Sequence, residues 1–453
     1  MDRVGLHKLL NLEVDQRSPG FILYSEKISP RLNYTAQFIF EHVLKTKLII
    51  ANTISEFESS GYFKINYSSK IIPGAFQIVP HPFLFESGVS ENKPPATLKN
   101  DLVYFFVNDT GNFNYDIFSS VFYFISRYEE WQSFTPDAHG RFEANNSILF
   151  KQKLHLKPIV DIWILELKNE LNNFFNGINF PTNKFKIIST IDVDNLYAYK
   201  EKGFLRTAGA ICKDILKFDL ANLKERKNVL SGKAADPFDI YTSVSDYCSN
   251  NKMPLIYFFL FRSGTKYDRT IDPTSNAFVE VFKRIKERAA FIGLHPSYHS
   301  SETKTILQHE IKDISNKLGK QVQLSRQHYL KFNIKTTPAW LLQNNILADF
   351  TMGFASEVGF RAGTSFPFYY YDLANETQTD LLFVPFCAMD GAYFVYDKIH
   401  PDQMLSSLLN LAKEVKNVNG LFISVFHERT FSNHLYPGYD RIYKNLHQKI
   451  NEL

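Results

Sequence analysis

The chain has 453 residues, more than one average domain needs and enough to bury a sizeable core. Hydrophobic residues make up 44% and charged residues 22%, and the 51 Lys and Arg barely exceed the 47 Asp and Glu. That is a globular composition without the basic patches that nucleic acid requires.

The first half mixes helices and strands without a regular order. "RLNYTAQFIFEHVLK" reads as a helix and "TKLIIAN" as the strand after it. Residues 115–134 form a long apolar-faced helix whose Tyr128-Glu129-Glu130-Trp131 end is expected to pack on a second domain. A further helix over 159–175 gives way to Asn, Gly and Pro in "NGINFPTNKFK". The expected division is an N-terminal mixed α/β domain, 1–180, and a second domain, 185–453. The first half alone offers no catalytic constellation.

From residue 186 the pattern becomes regular. Apolar segments begin "KIISTID" at 186, "PLIYFFLF" at 254, "FIGLH" at 291, "QVQLSRQ" at 321, "ILADF" at 346, "GFRAG" at 359, "LLFVPF" at 381 and "LFISVF" at 421. Between them Leu307, Ile311, Ile314 and Leu318 mark one helix face, and Leu408, Leu411, Val415 and Val418 another. Eight buried strands alternating with covering helices predict a (β/α) barrel, distorted or incomplete.

Polar residues fall where these strands end, the place where such barrels carry their chemistry. Asp192 and Asp194 in "STIDVDN" are two apart on a strand, so both carboxylates point to one side. His295 and His299 in "GLHPSYHS" are four apart, and Pro296 suits a helix start, so both imidazoles are expected to face one point. Two imidazoles and a carboxylate suit a catalytic divalent metal, with zinc, cobalt, iron and manganese all acceptable. Cys212, Cys248 and Cys387 show neither disulfide nor metal-ligand spacing and fit thiols in a reducing compartment.

In these motifs and their order, residues 186 to about 433 resemble the polysaccharide deacetylases, carbohydrate esterase family four. The resemblance implies a distorted (β/α) barrel, a divalent metal such as zinc, and removal of N-acetyl groups from a carbohydrate. It gives Asp192 the role of general base and makes Asp194, His295 and His299 the metal ligands. It matches Arg326 in "LSRQHYLKF" to the arginine that orients the base, and Asp349 in "ADFTMGF" to the aspartate of the fourth motif. It makes His427 in "LFISVFHE" the general acid, which a carboxylate such as Asp349 would keep protonated. The sequence departs from the family pattern in three places. One residue separates the two aspartates, which leaves their roles exchangeable; no proline follows Arg326 closely; and the residues before His427 differ. The N-terminal part resembles accessory regions fused to bacterial deacetylases.

Two other functions use the same features: hydrolysis of a non-sugar linear amide, and a catalytically silent sugar-binding or scaffold protein. Arg361, between an apolar segment and an aromatic loop, is expected either to contact substrate or to neutralise Asp349; His328 reads as a polar strand position. No apolar run is long enough to span a bilayer, and the N-terminal residues lack the pattern of a secretory signal, so a cytoplasmic setting is expected. The oligomeric state is not legible.

Overall fold

A computed structural model describes residues 3–13, 19–99, 101–108, 110–262, 264–288 and 290–452. The chain begins with a parallel sheet of β1 (Gly20–Tyr24), β2 (Lys47–Ala51), β3 (Phe63–Asn66) and β4 (Phe76–Gln77), in the order β2-β1-β3-β4. A short hairpin of β5 (Ala96–Lys99) and β6 (Leu102–Phe105) follows. The helix Ile117–Ile125 is buried along its whole length, as its apolar sequence demands. The single long helix expected over 115–134 is broken at Arg127, whose φ of 53° is left-handed. That turn sends the Arg127 side chain inward, where Nε donates to Glu130 and Nη1 to the Phe124 carbonyl.

The large sheet is a curled, incomplete barrel of nine strands among the described residues, in the order β12-β13-β11-β10-β9-β8-β7-β15-β14. They are β7 (Lys186–Val193), β8 (Leu255–Leu260), β9 (Phe291–His295), β10 (Leu324–Ser325), β11 (Ala348–Asp349), β12 (Phe368–Asp372), β13 (Thr377–Phe383), β14 (Ala388–Met389) and β15 (Leu421–His427). All adjacent pairs are parallel except β12 with β13, an antiparallel pair at one edge. "GFRAG" is not a strand, contrary to expectation. Gly359 and Gly363 adopt φ of 121° and 67°, and Arg361 turns into the protein. The remaining parallel strand is the short β14.

Strand alternation explains the two cores. Ile188, Ile256, Phe258, Ile423 and Val425 fill the barrel interior, while Ile191, Val193, Tyr257, Phe259, Phe422 and Phe426 face the outer helices. Leu6, Leu9, Leu10 and Leu12 join the interior cluster, so the first described helix, Arg3–Leu9, lends its apolar side to the barrel. The N-terminal region is tied to the barrel by polar contacts. Arg31 pairs with Glu376, Glu130 with Arg361, and Asp161 accepts from Thr364 and Ser365. No helix among the described residues is long and apolar enough to cross a membrane.

Candidate active site

The interior-facing parity that buries Ile188 on β7 carries Thr190 and Asp192 to the same side. Asp192 pairs across the sheet with His427, the last residue of β15. Next to β7 runs β8, and on its other side β9 ends at His295. Arg326 and His328 follow β10. Four strand ends thus deliver Asp192, His427, His295 and Arg326 to one rim, the C-terminal rim of the parallel strands.

Arg326 is fully buried over the rings of Phe258, Phe350 and Phe386. Its Nη1 donates to Asp192 Oδ1 at 2.7 Å and to Thr190 Oγ1 at 2.9 Å, and Nε donates to the Phe350 carbonyl at 3.0 Å. A guanidinium fixed at three points holds the Asp192 carboxylate in one orientation.

Asp194 Oδ1 lies 3.5 Å from both His295 Nε2 and His328 Nε2, and the three ligand atoms lie within 4.8 Å of one another. Tetrahedral zinc with these ligand types sets its donor atoms about 3.4 Å apart. Each imidazole is oriented from behind: His295 Nδ1 donates to the Arg326 carbonyl at 2.5 Å, and His328 Nδ1 to Asp268 at 2.8 Å. Both Nε2 atoms are thereby aimed at Asp194, as in metal sites where a supporting acceptor fixes the tautomer. Asp194 Oδ1 is buried and accepts no hydrogen bond, which a cation would remedy. The donor set therefore fits a divalent ion.

The charges agree. Burial opposes ionisation of Asp194, but Arg429, 2.9 Å from Oδ2, and His328 hold its carboxyl well below the usual range. Burial also disfavours a charged His328, yet the Asp194 and Asp268 carboxylates outweigh it and raise its pKa to about 9. The centre holds positive charge strongly. Glu428 accepts from the backbone N–H groups of Asp194 and Asn195 at 3.1 and 3.2 Å and fixes the turn after β7. Burial and the nearby Asp194 push its carboxyl up to about 7.

His299 does not join this group. Residues 296–297 are not helical, and Ser297 is extended before a short 3-10 turn, Tyr298–Ser301. The expected four-residue helical spacing is therefore broken, and the exposed His299 ring pairs with Glu302 at 2.9 Å. The second imidazole is His328, which reads in sequence as an ordinary polar position. Asp349 is also displaced from its expected partner. It accepts from Ser325 Oγ at 2.6 Å and from Thr351 N at 2.9 Å, and burial raises its pKa. Arg361 neutralises Glu130, with contacts of 2.9 and 2.7 Å, and not Asp349.

The carboxylate on His427 is Asp390, which follows β14. Its Oδ1 lies 2.6 Å from His427 Nδ1, and its Oδ2 accepts from the His427 backbone at 2.7 Å and from the Thr430 hydroxyl. Burial opposes the imidazolium, but Asp390 outweighs it and raises the His427 pKa. Asp390→Asn is expected to lower that pKa. An NMR titration of the His427 imidazole reads that shift, and a pKa that stays in place would show that Asp390 does not hold the proton there.

Asp192, Asp194, His295, His328, His427 and Arg429 line one cavity of about 370 Å³. Tyr267, Tyr329, Tyr396 and Tyr436 form aromatic parts of its wall. Arg141, from the N-terminal region, also lines it and donates to the Tyr329 carbonyl at 2.8 Å. Among the described residues, larger cavities, such as the 650 Å³ one beside Leu156 and Asp402, contain no such cluster.

A family model described as a family of unknown function (DUF7033) matches residues 21–176. No curated protein matches the chain. Among solved structures, the chain is similar to one from Mycobacterium smegmatis assigned as a polysaccharide deacetylase, at 13% identity and a TM-score of 0.39, covering 60% of this chain and 85% of that one. It is similar to the CE4 domain of a multidomain xylanase from the hindgut metagenome of Trinervitermes trinervoides, at 11% identity and a TM-score of 0.28, covering 58% and 84%. A mutant of BA3943, a CE4 family pseudoenzyme with restored enzymatic activity, is similar at 10% identity and a TM-score of 0.28, covering 59% and 65%.

Besides His328 and Asp390, sequence reading passed over Arg429 and Asp268. Three of the four had a faint signal. His328 stands two residues after Arg326, Arg429 two after His427, and Asp390 directly follows an apolar pair.

Proposed function

We propose that the protein is a metal-dependent hydrolase that removes N-acetyl groups from a sugar of a bacterial polysaccharide or its precursor. The observation that carries this reading is the convergence of Asp194, His295 and His328 beside an arginine-held Asp192 and an aspartate-held His427. Zinc suits two nitrogens and one carboxylate best, with cobalt, iron or manganese as substitutes. A divalent ion held there would supply Lewis acidity toward an amide carbonyl and toward water. Asp192, aimed by Arg326, takes the proton from the attacking water. His427, charged by Asp390, gives a proton to the departing amine. Tyr267, Tyr329 and Tyr396 offer faces against which a sugar ring can rest. The division into domains 1–180 and 185–453 belongs to this proposal, with Leu6 to Leu12 lent to the barrel. So does a cytoplasmic setting, which three unpaired cysteines support.

The test is acetate release from acetylated chitooligosaccharides and polysaccharide precursors by zinc-loaded protein. Asp192→Asn should lower the rate by about 10²–10⁴-fold while leaving bound zinc unchanged. Zinc-loaded native protein that releases no acetate would overturn the deacetylase reading. One observation favours the silent alternative: Arg429 already sets a cation 2.9 Å from Asp194 Oδ2. A chain that takes up no zinc would decide for it, and zinc uptake with cleavage of another amide would decide for a non-sugar substrate.

A further inference from the structure

The cavity is bordered by a helical hairpin with its apolar residues on the outside. Its helices are Phe204–Leu216 and Leu220–Leu230. Phe204, Leu205 and Phe218 are 85%, 85% and 87% exposed, and Leu216 is 80% exposed. Ile215 and Leu220 are exposed as well. Isolated exposed apolar residues need no explanation, but a gathered patch marks an interaction site.

Helical spacing makes the patch continuous. Phe204, Ala208, Ile211 and Ile215 recur at steps of four, three and four, and Leu205, Cys212 and Leu216 lie alongside them. Arg206, Lys213 and Lys217 occupy the neighbouring arc. The residue of this helix that points into the protein is charged: Asp214, buried, accepts from Arg226 at 2.8 Å and from Asn222 at 2.9 Å. The Arg226 guanidinium rests 4.8 Å from the Tyr199 ring centre. Polar groups thus anchor the hairpin while its apolar side faces outward.

We propose that this hairpin is a docking surface for an acidic lipid bilayer. Charge selects the occupant. With the Asp214–Arg226 pair set aside, Arg206, Lys213, Lys217, Lys224 and Lys227 face Asp219 and Glu225, and Lys200, Lys202 and Lys233 lie close by with Glu201 and Asp236 among them. The chain's small overall positive excess is concentrated here. Two such surfaces repel each other, which opposes pairing with a second copy. Aromatic and aliphatic residues beside Lys and Arg on one helix are the pattern of helices that lie in the membrane interface. Acidic lipids attract each nearby basic residue.

The hairpin is attached to the rim of the cavity at both ends. Before it, Lys202 Nζ donates to Asn195 at 3.0 Å, and Asn195 lines the cavity. At its turn, Asp219 lies 3.5 Å from His434, two residues from the cavity-lining Tyr436. A docked hairpin sets the cavity beside the lipid surface. The docking surface stands without the catalytic reading; the substrate it implies, a glycan carried on a lipid, rests on that reading.

The test is co-sedimentation of the full chain with vesicles of phosphatidylcholine alone or mixed with phosphatidylglycerol, at low and high salt. Binding is expected on the acidic vesicles, weakened by salt. It should fall at least about tenfold in a Phe204→Ser, Leu216→Ser, Phe218→Ser variant that melts at the native temperature. A Lys213→Glu, Lys217→Glu variant checks the basic arc independently and should also lose binding. Cys212 is the chain's exposed cysteine, and a polarity-sensitive dye on it should shift to the blue when vesicles are added. Native protein that stays in the supernatant with acidic vesicles would overturn the proposal, as would binding that survives both variants. A vesicle-free dimer that the triple serine variant dissolves would assign the face to a second copy instead.

Discussion

Replacing His328 with alanine is expected to weaken zinc binding at least about 100-fold, the upper end of what loss of a supporting residue costs. His299→Ala should leave the affinity unchanged. His328 Nε2 is 3.5 Å from Asp194 Oδ1 and its ring is braced by Asp268, whereas the exposed His299 ring leans on Glu302. Competition against a chromophoric chelator reads affinity directly, with no dependence on turnover. Equal losses in the two variants would return His299 to the ligand set. Unchanged affinity in His328→Ala would remove the cluster as a metal centre. Asp268→Asn offers a graded control. It leaves the imidazole in place but weakens its brace, so a smaller loss of about 10-fold is expected.

The contrast between these two histidines shows what the sequence conveyed. His295 and His427 end apolar strands of five and seven residues and Asp192 is the last residue but one of an eight-residue strand, and alternation along such strands fixes both their side and their height. Arg326 was reached only through the resemblance to the family's third motif, since β10 before it has two residues and gives no alternating pattern. His299 looked like a ligand because a four-residue interval suggests a helical turn. The interval contains an extended Ser297 that no local propensity announces. His328 lies beyond a two-residue strand, in a turn where Tyr329 and Leu330 both take left-handed backbone, with φ of 59° and 52°. Such a conformation is imposed by tertiary contacts, among them Arg141 on the Tyr329 carbonyl, and is invisible to periodicity. Asp390 was missed for a related reason, since β14 has only two residues and gives no alternating pattern. The barrel was legible from its repeating strands and helices. Its antiparallel edge β12 was not, because the segment taken for the strand before it, "GFRAG", is a glycine-bent loop.

The N-terminal region should prove inseparable from the barrel, and Glu130 tests this. Its carboxylate is 3% exposed and accepts from Arg127 at 2.8 Å and from Arg361 at 2.9 and 2.7 Å. Arg361 in turn donates to the Gly353 carbonyl in the loop after β11. Removing one member of a buried ionic group leaves the others uncompensated, so Glu130→Leu is expected to cost about 3–5 kcal/mol in urea unfolding. Arg361→Leu should cost less, because Arg127 still neutralises Glu130. The double variant should recover part of the Glu130→Leu loss, since one of the two stranded guanidinium groups is gone. The pH dependence follows from the direction of the shift. Burial alone would raise the Glu130 pKa, but the two arginines hold it below the ordinary glutamate value. Its contribution is therefore present above the unfolded-state pKa and lost as the pH falls through the lowered native one. The gap between native protein and Glu130→Leu should narrow in acid. A gap that is constant with pH, or a loss below about 1 kcal/mol, would mean that Glu130 does not hold the two parts together. A large loss would have a consequence for the site. The region that carries Glu130 also carries Arg141, which closes one wall of the cavity beside His328, so unlocking the first contact should loosen the second.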